Sequence, residues 1–576
     1  MSRARIVAIA AAAAAVGIGI YTQLQEAPPP AARQVAAICA PGAQGGAVPQ
    51  TLAQWAQGAQ VFDGLGAFHR KVSTSSEEAQ KYFDQGMRYL WAFNHDESTR
   101  SFAKAAQLDP QCAMCLWGAA LTVGPNYNVP VMAEPRAKVA RAAVEQAQKL
   151  ASQGTPVEQA LVMALVQRYP DAKPLDPSNE GPVLTAYATA MKQVAQKFPD
   201  DLDVQTLYAE SMMNINAWKL WTLDGKPAHG TEEIVATLEK VLAKDPQHPG
   251  ANHYYVHAIE ASPHPERAVV AAERLRGMMP AAGHLQHMPA HIMQRVGRYE
   301  DAARANREGA AADVAYFAKT KPLDYYAMYL GHNYQFLAFS AAMEGRKAET
   351  LEATAKSRET MPDEMLLAIP GFDWFIAQRY AAMVRFGLWD EMLAEPAPNA
   401  KLPGLTGGYL YGRAVALAAK GKSDDARAVV AQLERLAEAT PAEYGAGFNS
   451  ARDMFAIAAR VAKARIADVE KKPAEALALL RDAVAKEDQN AYDEPADWFF
   501  PVRHMLGAAL LKAGNAKEAE VVYREDLKRH PDNGWALYGL AQALKAQKKS
   551  AEAAAAEKKF QTAWDKSDVT LMASAF

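Results

Sequence analysis

NHYYVHAIEASPHPERA (252–268), AAGHLQHMPAHIMQRVGRYEDA (281–302) and YYAMYLGHNYQF (325–336) decide how this chain is read. Seven of its thirteen histidines, His253, His257, His264, His284, His287, His291 and His332, fall within these eighty residues. Their spacing carries more than their number. His253 to His287 is 34 residues and His257 to His291 is again 34, so one H-x-x-x-H pair recurs one period later. A 34-residue period is that of a helical-hairpin repeat.

Outward from this stretch the same pattern continues: an apolar-periodic helix, a short turn with Gly, a second helix with E-x-A, then D-P or M-P. Residues 80–110 show it in Gly86, the FNHDES turn, Ser98, Phe102, Ala105 and Pro110, and Ala268/Ala302 and Ala519/Ala553 are each 34 apart. This pattern resembles the tetratricopeptide repeat family. Resemblance and periodicity together predict an all-α, right-handed helical-hairpin solenoid of about eleven repeats over residues 79–576. The best-matching units lie near 79–112, 249–282, 283–316, 406–439, 500–533 and 534–567. Insertions are expected near 124–180, 216–230, 319–328 and 484–500, on the face where such arrays often bind.

Abundant Ala and an apolar fraction of 50% agree with an all-α chain. A net charge of -3 and a pI near 6.5 show no basic footprint, which excludes nucleic acid as a main partner. Residues 1–21 carry a short basic stretch and an apolar run, the pattern of an export signal or of a membrane tether through residues 6–20. The expected location is exported and periplasmic, soluble or anchored. Ile38 stands before Cys39 where a lipoprotein signal resembles a small residue, which argues against lipidation. Residues 22–78, rich in Pro, Ala, Gln and Gly, read as a linker with one short helix. Three cysteines exclude a disulfide framework. Cys112 and Cys115, in DPQCAMCLWG, leave open a simple disulfide, a redox or metal-binding pair, or inert core thiols.

In the tetratricopeptide family the first helix of each repeat lines a concave groove. Carrying that register over from Pro246 and Pro280 puts His253, His257 and Glu260, then His284, His287 and His291, at groove positions. His332 follows in the next unit, and His504 takes such a position in the second-last one. Asp203 and Glu210 precede them, with Asn214 four residues after Glu210. On a 3.6-residue helix, offsets of 0, 3 and 7 fall within an arc of about 60° and an i,i+4 pair within about 40°, so these imidazoles share a face. His clusters with a carboxylate suit a transition metal, here Cu, Zn or Fe. His253, His257, His287 and His291 are the expected ligands, with His284, His332 and Glu210 as further candidates. Glu210 is also the candidate general base on a metal-bound water. His248, His264 and His530 read as structural. Pro289 interrupts the second helix, whose start is expected near Gln286 to Met288, with His284 on the entering loop. The superhelical turn could carry NAYDEPADWFFPVRH (490–504), with Asp493, Glu494, Trp498, Arg503 and His504, towards the groove.

The chain is also similar to exported bacterial tetratricopeptide proteins that share DP-x-CAMC-x-WG, GPN-x-N, H-x-x-HMP-x-HI and YDEP segments. They stand here as DPQCAMCLWG, GPNYN, HLQHMPAHI and YDEP. That resemblance bears on fold and location and transfers no reaction. Two functions follow: a metal-dependent oxidoreductase, hydrolase or metal-handling protein, or a non-catalytic scaffold that holds a peptide or envelope protein in its groove. Gly-rich phosphate loops, G-x-S-x-G and H-E-x-x-H are absent from the sequence.

Overall fold

The computed structural model describes residues 48–176, 178–320 and 324–576; the 1–21 segment and Cys39 lie outside them. Helices follow one another as antiparallel hairpins from Glu77–Trp91 with His95–Leu108 to Gly534–Ala546 with Ser550–Ala563. The chain is an all-α solenoid of the tetratricopeptide type. Its one described sheet is the two-stranded hairpin Gly445–Ala446 with Asn449–Ser450. Among the described residues no helix is long and apolar enough to cross a membrane.

The stacking unit is visible in one contact that occurs twice. A Cβ on Gly86 would sit 2.7 Å from the Phe102 ring, and one on Gly118 would sit 2.4 Å from the same ring. Near the other end, Gly507 and Gly539 approach Tyr523 in the same way, at 2.3 and 2.1 Å. In each case an aromatic side chain from the second helix is clasped between glycines of two successive first helices. Only a residue without a side chain allows that approach. Each hairpin buries its stripe against the next, so stability accumulates along the array.

Two large apolar cores result, one built mainly from residues 55–336 and one from Tyr299 to Leu571. The histidine-rich helices lie where the first meets the second. Residues 48–76, expected as linker, are instead fastened to the solenoid. The short helix Leu52–Trp55 buries Trp55, and Arg70 pairs with Asp201 at 2.9 Å and Asp203 at 2.5 Å. Polar side chains placed for distant partners make this stretch look like linker in sequence.

The 124–180 insertion contains two helices, Glu134–Leu150 and Pro156–Val166, and only the segments around them are irregular. In the 319–328 region the helix Asp324–Met343 begins at Asp324, and residues 321–323 lie outside the described residues. By contrast, 217–230 and 488–501 are irregular over their length. The second is tied down by the Trp374 indole donating to the Asp497 carbonyl at 2.7 Å and the Asn449 amide donating to the Asp497 carboxylate at 2.6 Å.

Candidate metal centre

Three consecutive first helices supply the histidines. In Pro249–Ile259, His248 caps the N-terminus, its Nδ1 accepting from the Ala251 amide at 3.1 Å, and Pro249 occupies the first turn, where its missing N–H is no loss. A Cβ on Gly250 would meet the Trp91 indole at 2.4 Å. That close approach brings the Trp91 carbonyl to His253.

The second helix runs in two pieces, Gly283–His287 and Pro289–Arg295, joined by Met288 in a right-handed helical conformation. It therefore begins before His284, not near Gln286 to Met288 as expected. Pro289 becomes the first residue of a restarted segment, so its ring interrupts one hydrogen bond without ending the helix. His284, His287 and His291 remain on one face. His332 comes from Asp324–Met343.

Two groups of three imidazoles form, His253 with His257 and His284, and His287 with His291 and His332. Glu260, His291 and Glu494 form a third set. In each set the ligand atoms lie within 4.8 Å of one another. The first two groups are neighbours: ring centres of His284 and His287 are 5.9 Å apart, and those of His257 and His291 are 6.0 Å apart. Among these residues only His332 is not fully buried.

Hydrogen bonds fix which nitrogen carries a proton. His253 Nδ1 donates to the Trp91 carbonyl at 2.6 Å. His287 Nδ1 donates to Asn306 Oδ1 at 2.7 Å, whose own amide is committed to the Ala302 carbonyl at 2.8 Å. His257 Nδ1 donates to Glu260 Oε1 at 3.0 Å. In all three the remaining Nε2 carries the lone pair and faces the cluster, bare at His257, 3.2 Å from His284 Nε2 at His253 and 2.7 Å from His291 Nε2 at His287. This is the tautomer a metal ligand requires, held by the kind of outer partner that orients such ligands. His257 Nε2 and His284 Nδ1 are buried without any hydrogen-bond partner. Such orphans each cost about 1–3 kcal/mol unless something binds them.

The rings of the cluster differ in charge. Burial and the neighbouring rings hold His253, His284 and His287 well below the usual imidazole range, and burial holds His332 at about 3, so four rings are neutral at pH 7. Burial also opposes charge on His291, but the Glu494 and Glu260 carboxylates outweigh it and raise the ring to about 10. His291 Nδ1 lies 2.9 Å from Glu260 Oε2 and touches Glu494 Oε2. Burial would raise Glu260, yet His257 and His291 draw it down to about 2. Burial pushes Glu494 up to about 7 and Asp493 up to about 6.

Two aromatic residues clasp the cluster from strained backbone. Phe93 (φ 53°) and Trp218 (φ 61°) both occupy the left-handed region, unusual for bulky side chains. Phe93 lies 4.6 Å from the His253 ring and stacks near His257 and His284, at 5.7 and 6.0 Å. Trp218 meets His257 edge-on at 5.8 Å. Strain of this kind costs about 1–3 kcal/mol and persists where surrounding structure imposes it.

The structure thus brings together His253, His257, His284, His287, His291 and His332. Glu210 is elsewhere: it is buried, accepts from Asn214 at 2.6 Å, and shares its surroundings with Arg168 and Tyr187. The carboxylates at the histidines are Glu260 and Glu494. Glu260 was already in the groove register, and Glu494 arrives on the 488–501 loop. Trp91, Phe93, Trp218 and Asn306 carry no sequence signal that links them to the cluster. Cys112 and Cys115 form a disulfide at the start of helix Ala113–Val123.

No protein-family model matches the chain, and no curated protein does. Among solved structures, the human IFIT1 dimer with m7Gppp-AAAA aligns at 12% identity over 78% of this chain and 90% of that one, with a TM-score of 0.31. The human IFIT1 dimer with PPP-AAAA gives 12%, 85%, 96% and 0.31. The Naa15/Naa10 complex bound to HypK-THB gives 15%, 85%, 70% and 0.22. Likenesses this distant carry nothing about activity; the repeat fold rests on the hairpins and the glycine-clasped aromatics.

Proposed function

We propose that this chain is a metalloprotein whose histidine belt holds transition-metal ions on the concave side of the solenoid, and that it acts as a metal-dependent enzyme. One observation carries the reading: two adjacent imidazole triads have ligand atoms within 4.8 Å of one another, and outer hydrogen bonds hold three of the Nε2 lone pairs facing inwards. Metal–imidazole bonds are about 2.0–2.1 Å, so donors around one ion stand roughly 3–4 Å apart, and a modest contraction suffices. Two imidazole triads exceed what one four-coordinate ion needs and match about two. When bound, the metal supplies Lewis acidity or redox chemistry, and a nitrogen-rich donor set with carboxylates suits Cu, Zn or Fe. Glu494, Asp493 and Glu260 are placed to hold or move protons at its edge.

A cavity bordered by His257, His284, His291 and His332 supports catalysis over a purely structural role, because closed structural sites leave no approach for a substrate. The Cys112–Cys115 disulfide, together with the expected export segment at 1–21, supports an oxidising compartment outside the cytoplasm.

X-ray absorption on protein purified without a His-tag tests the reading. The expected spectrum has nitrogen and oxygen neighbours at about 2.0–2.1 Å with imidazole outer-shell scattering. Absence of metal, or a sulfur shell, overturns it.

A further inference from the structure

We infer that the cavity beside the histidine belt is a binding site for a single-ring aromatic molecule that carries one polar substituent, of the phenol type. The inference rests on the metal reading only for the fate of that molecule; its binding stands on the cavity alone.

The cavity measures about 180 Å³, and one of roughly 150 Å³ already admits a benzene ring. Its floor is the imidazole face of His257, His284, His291 and His332. Its walls include Trp218, Met328, Phe372, Phe375 and Phe448, which come from four separate segments of the chain and are all only half-buried. Large apolar side chains left partly exposed around one hollow are the usual lining of a small-molecule site. Trp218 is held there from strained backbone, stacked on Tyr127 at 5.2 Å and tilted against Phe448 at 5.2 Å. The hollow is thus walled by rigid rings suited to stack on another ring.

Besides the histidines, Tyr329, Asp493 and Glu494, two amide side chains line the cavity. Asn128 Oδ1 and Gln335 Nε2 are buried atoms without a hydrogen-bond partner, although the other end of each amide is engaged, Asn128 Nδ2 with the Tyr329 hydroxyl at 3.4 Å and Gln335 Oε1 with His332 Nδ1 at 3.4 Å. This acceptor and this donor, apart from the Glu494 oxygens and the His257 and His284 nitrogens on the same cavity, match a hydroxyl, which both donates and accepts. A plain hydrocarbon would leave them unpaired and an anionic group would lie against the Glu494 carboxylate, so the fit is to a hydroxylated ring without negative charge.

Phenol itself is the probe, titrated calorimetrically into the full metal-loaded protein, with metal content measured on each sample. Wild type is expected to bind phenol at one site. Val129→Trp, on an irregular segment lining the cavity, fills the space and should weaken phenol at least about tenfold. Asn128→Leu should weaken phenol about fivefold, the worth of one hydrogen bond, while toluene binding stays the same. Phe448→Ala, which removes a wall, should weaken both ligands. No phenol binding by wild type, or equal binding by wild type and Val129→Trp, overturns the inference. The two readings fail separately: phenol binding to metal-free protein would keep the site and remove the centre, and stoichiometric metal without phenol binding would do the reverse.

Discussion

His257 and His504 both read as groove residues, one midway along the array and one towards its C-terminal end, both fully buried, both beside a buried carboxylate. They differ in what remains free. His504 Nε2 donates to Asp526 at 2.8 Å and its Nδ1 accepts from the Arg385 guanidinium at 2.8 Å, so both ring nitrogens are spent. His257 donates to Glu260 through Nδ1 and leaves Nε2 bare. Burial next to a carboxylate therefore does not mark a metal site. Under the metal reading, the mark is a second nitrogen left without a protein partner, as at His257 Nε2.

Removing histidines from each region breaks the comparison if it is wrong. The largest effect is expected for His257→Ala with His291→Ala. Structural zinc sites with four donors bind with apparent free energies of about 10–16 kcal/mol, so losing two donors should cost about 5 kcal/mol or more of metal binding, read by competition with a chelator. His504→Ala should leave metal content unchanged and instead destabilise the fold by about 3–5 kcal/mol in denaturant titrations, because it strands Asp526 and Arg385 in the interior.

Acid should act on the His504 region next. Burial would raise the Asp526 carboxyl, but His504 holds it down at about 2, whereas an unfolded Asp titrates near 3.9. The unfolded chain then takes up the proton first, so stabilisation present above about pH 4 is lost as pH falls towards 2, by about 2–3 kcal/mol. Burial also keeps His504 below the usual imidazole range, and its contribution declines in the same direction, starting below about pH 6.5. Asp526→Asn should flatten that acid slope in pH-dependent denaturation. In the other region, Glu260→Gln should weaken metal binding by about 10–100-fold, the usual effect of removing a ligand's outer partner. The smallest effect is expected at His264, whose side chain is 65% exposed and meets only Glu266. His264→Ala should shift stability by less than about 0.5 kcal/mol, measured by thermal unfolding.

The register of the site was legible because it is periodic: a 34-residue repeat returns the same side of a helix to the same groove, and that alone places His253, His257, His287 and His291 together. His284 was misplaced by one turn because a proline can restart a helix as well as end it. What closes the site is aperiodic. The Trp91 carbonyl that fixes His253 lies 162 residues away, Trp218 comes from an irregular segment, and Glu494 from another that only the superhelix carries to His291. Glu210 had the same groove register as the true neighbours, yet Arg168 and Asn214 occupy it. Periodicity can show which face a residue takes, but it says nothing about which distant loop will meet it there.

The central claim is that free imidazole nitrogens, not buried histidines in general, hold metal. Elemental analysis of untagged protein tests it most directly, comparing wild type with the His257→Ala, His291→Ala double variant and with His504→Ala. The account predicts about two transition-metal ions per chain in wild type and in His504→Ala, one for each imidazole triad, with little metal left in the double variant. Metal-free wild type, or a double variant that keeps its full complement, would contradict it.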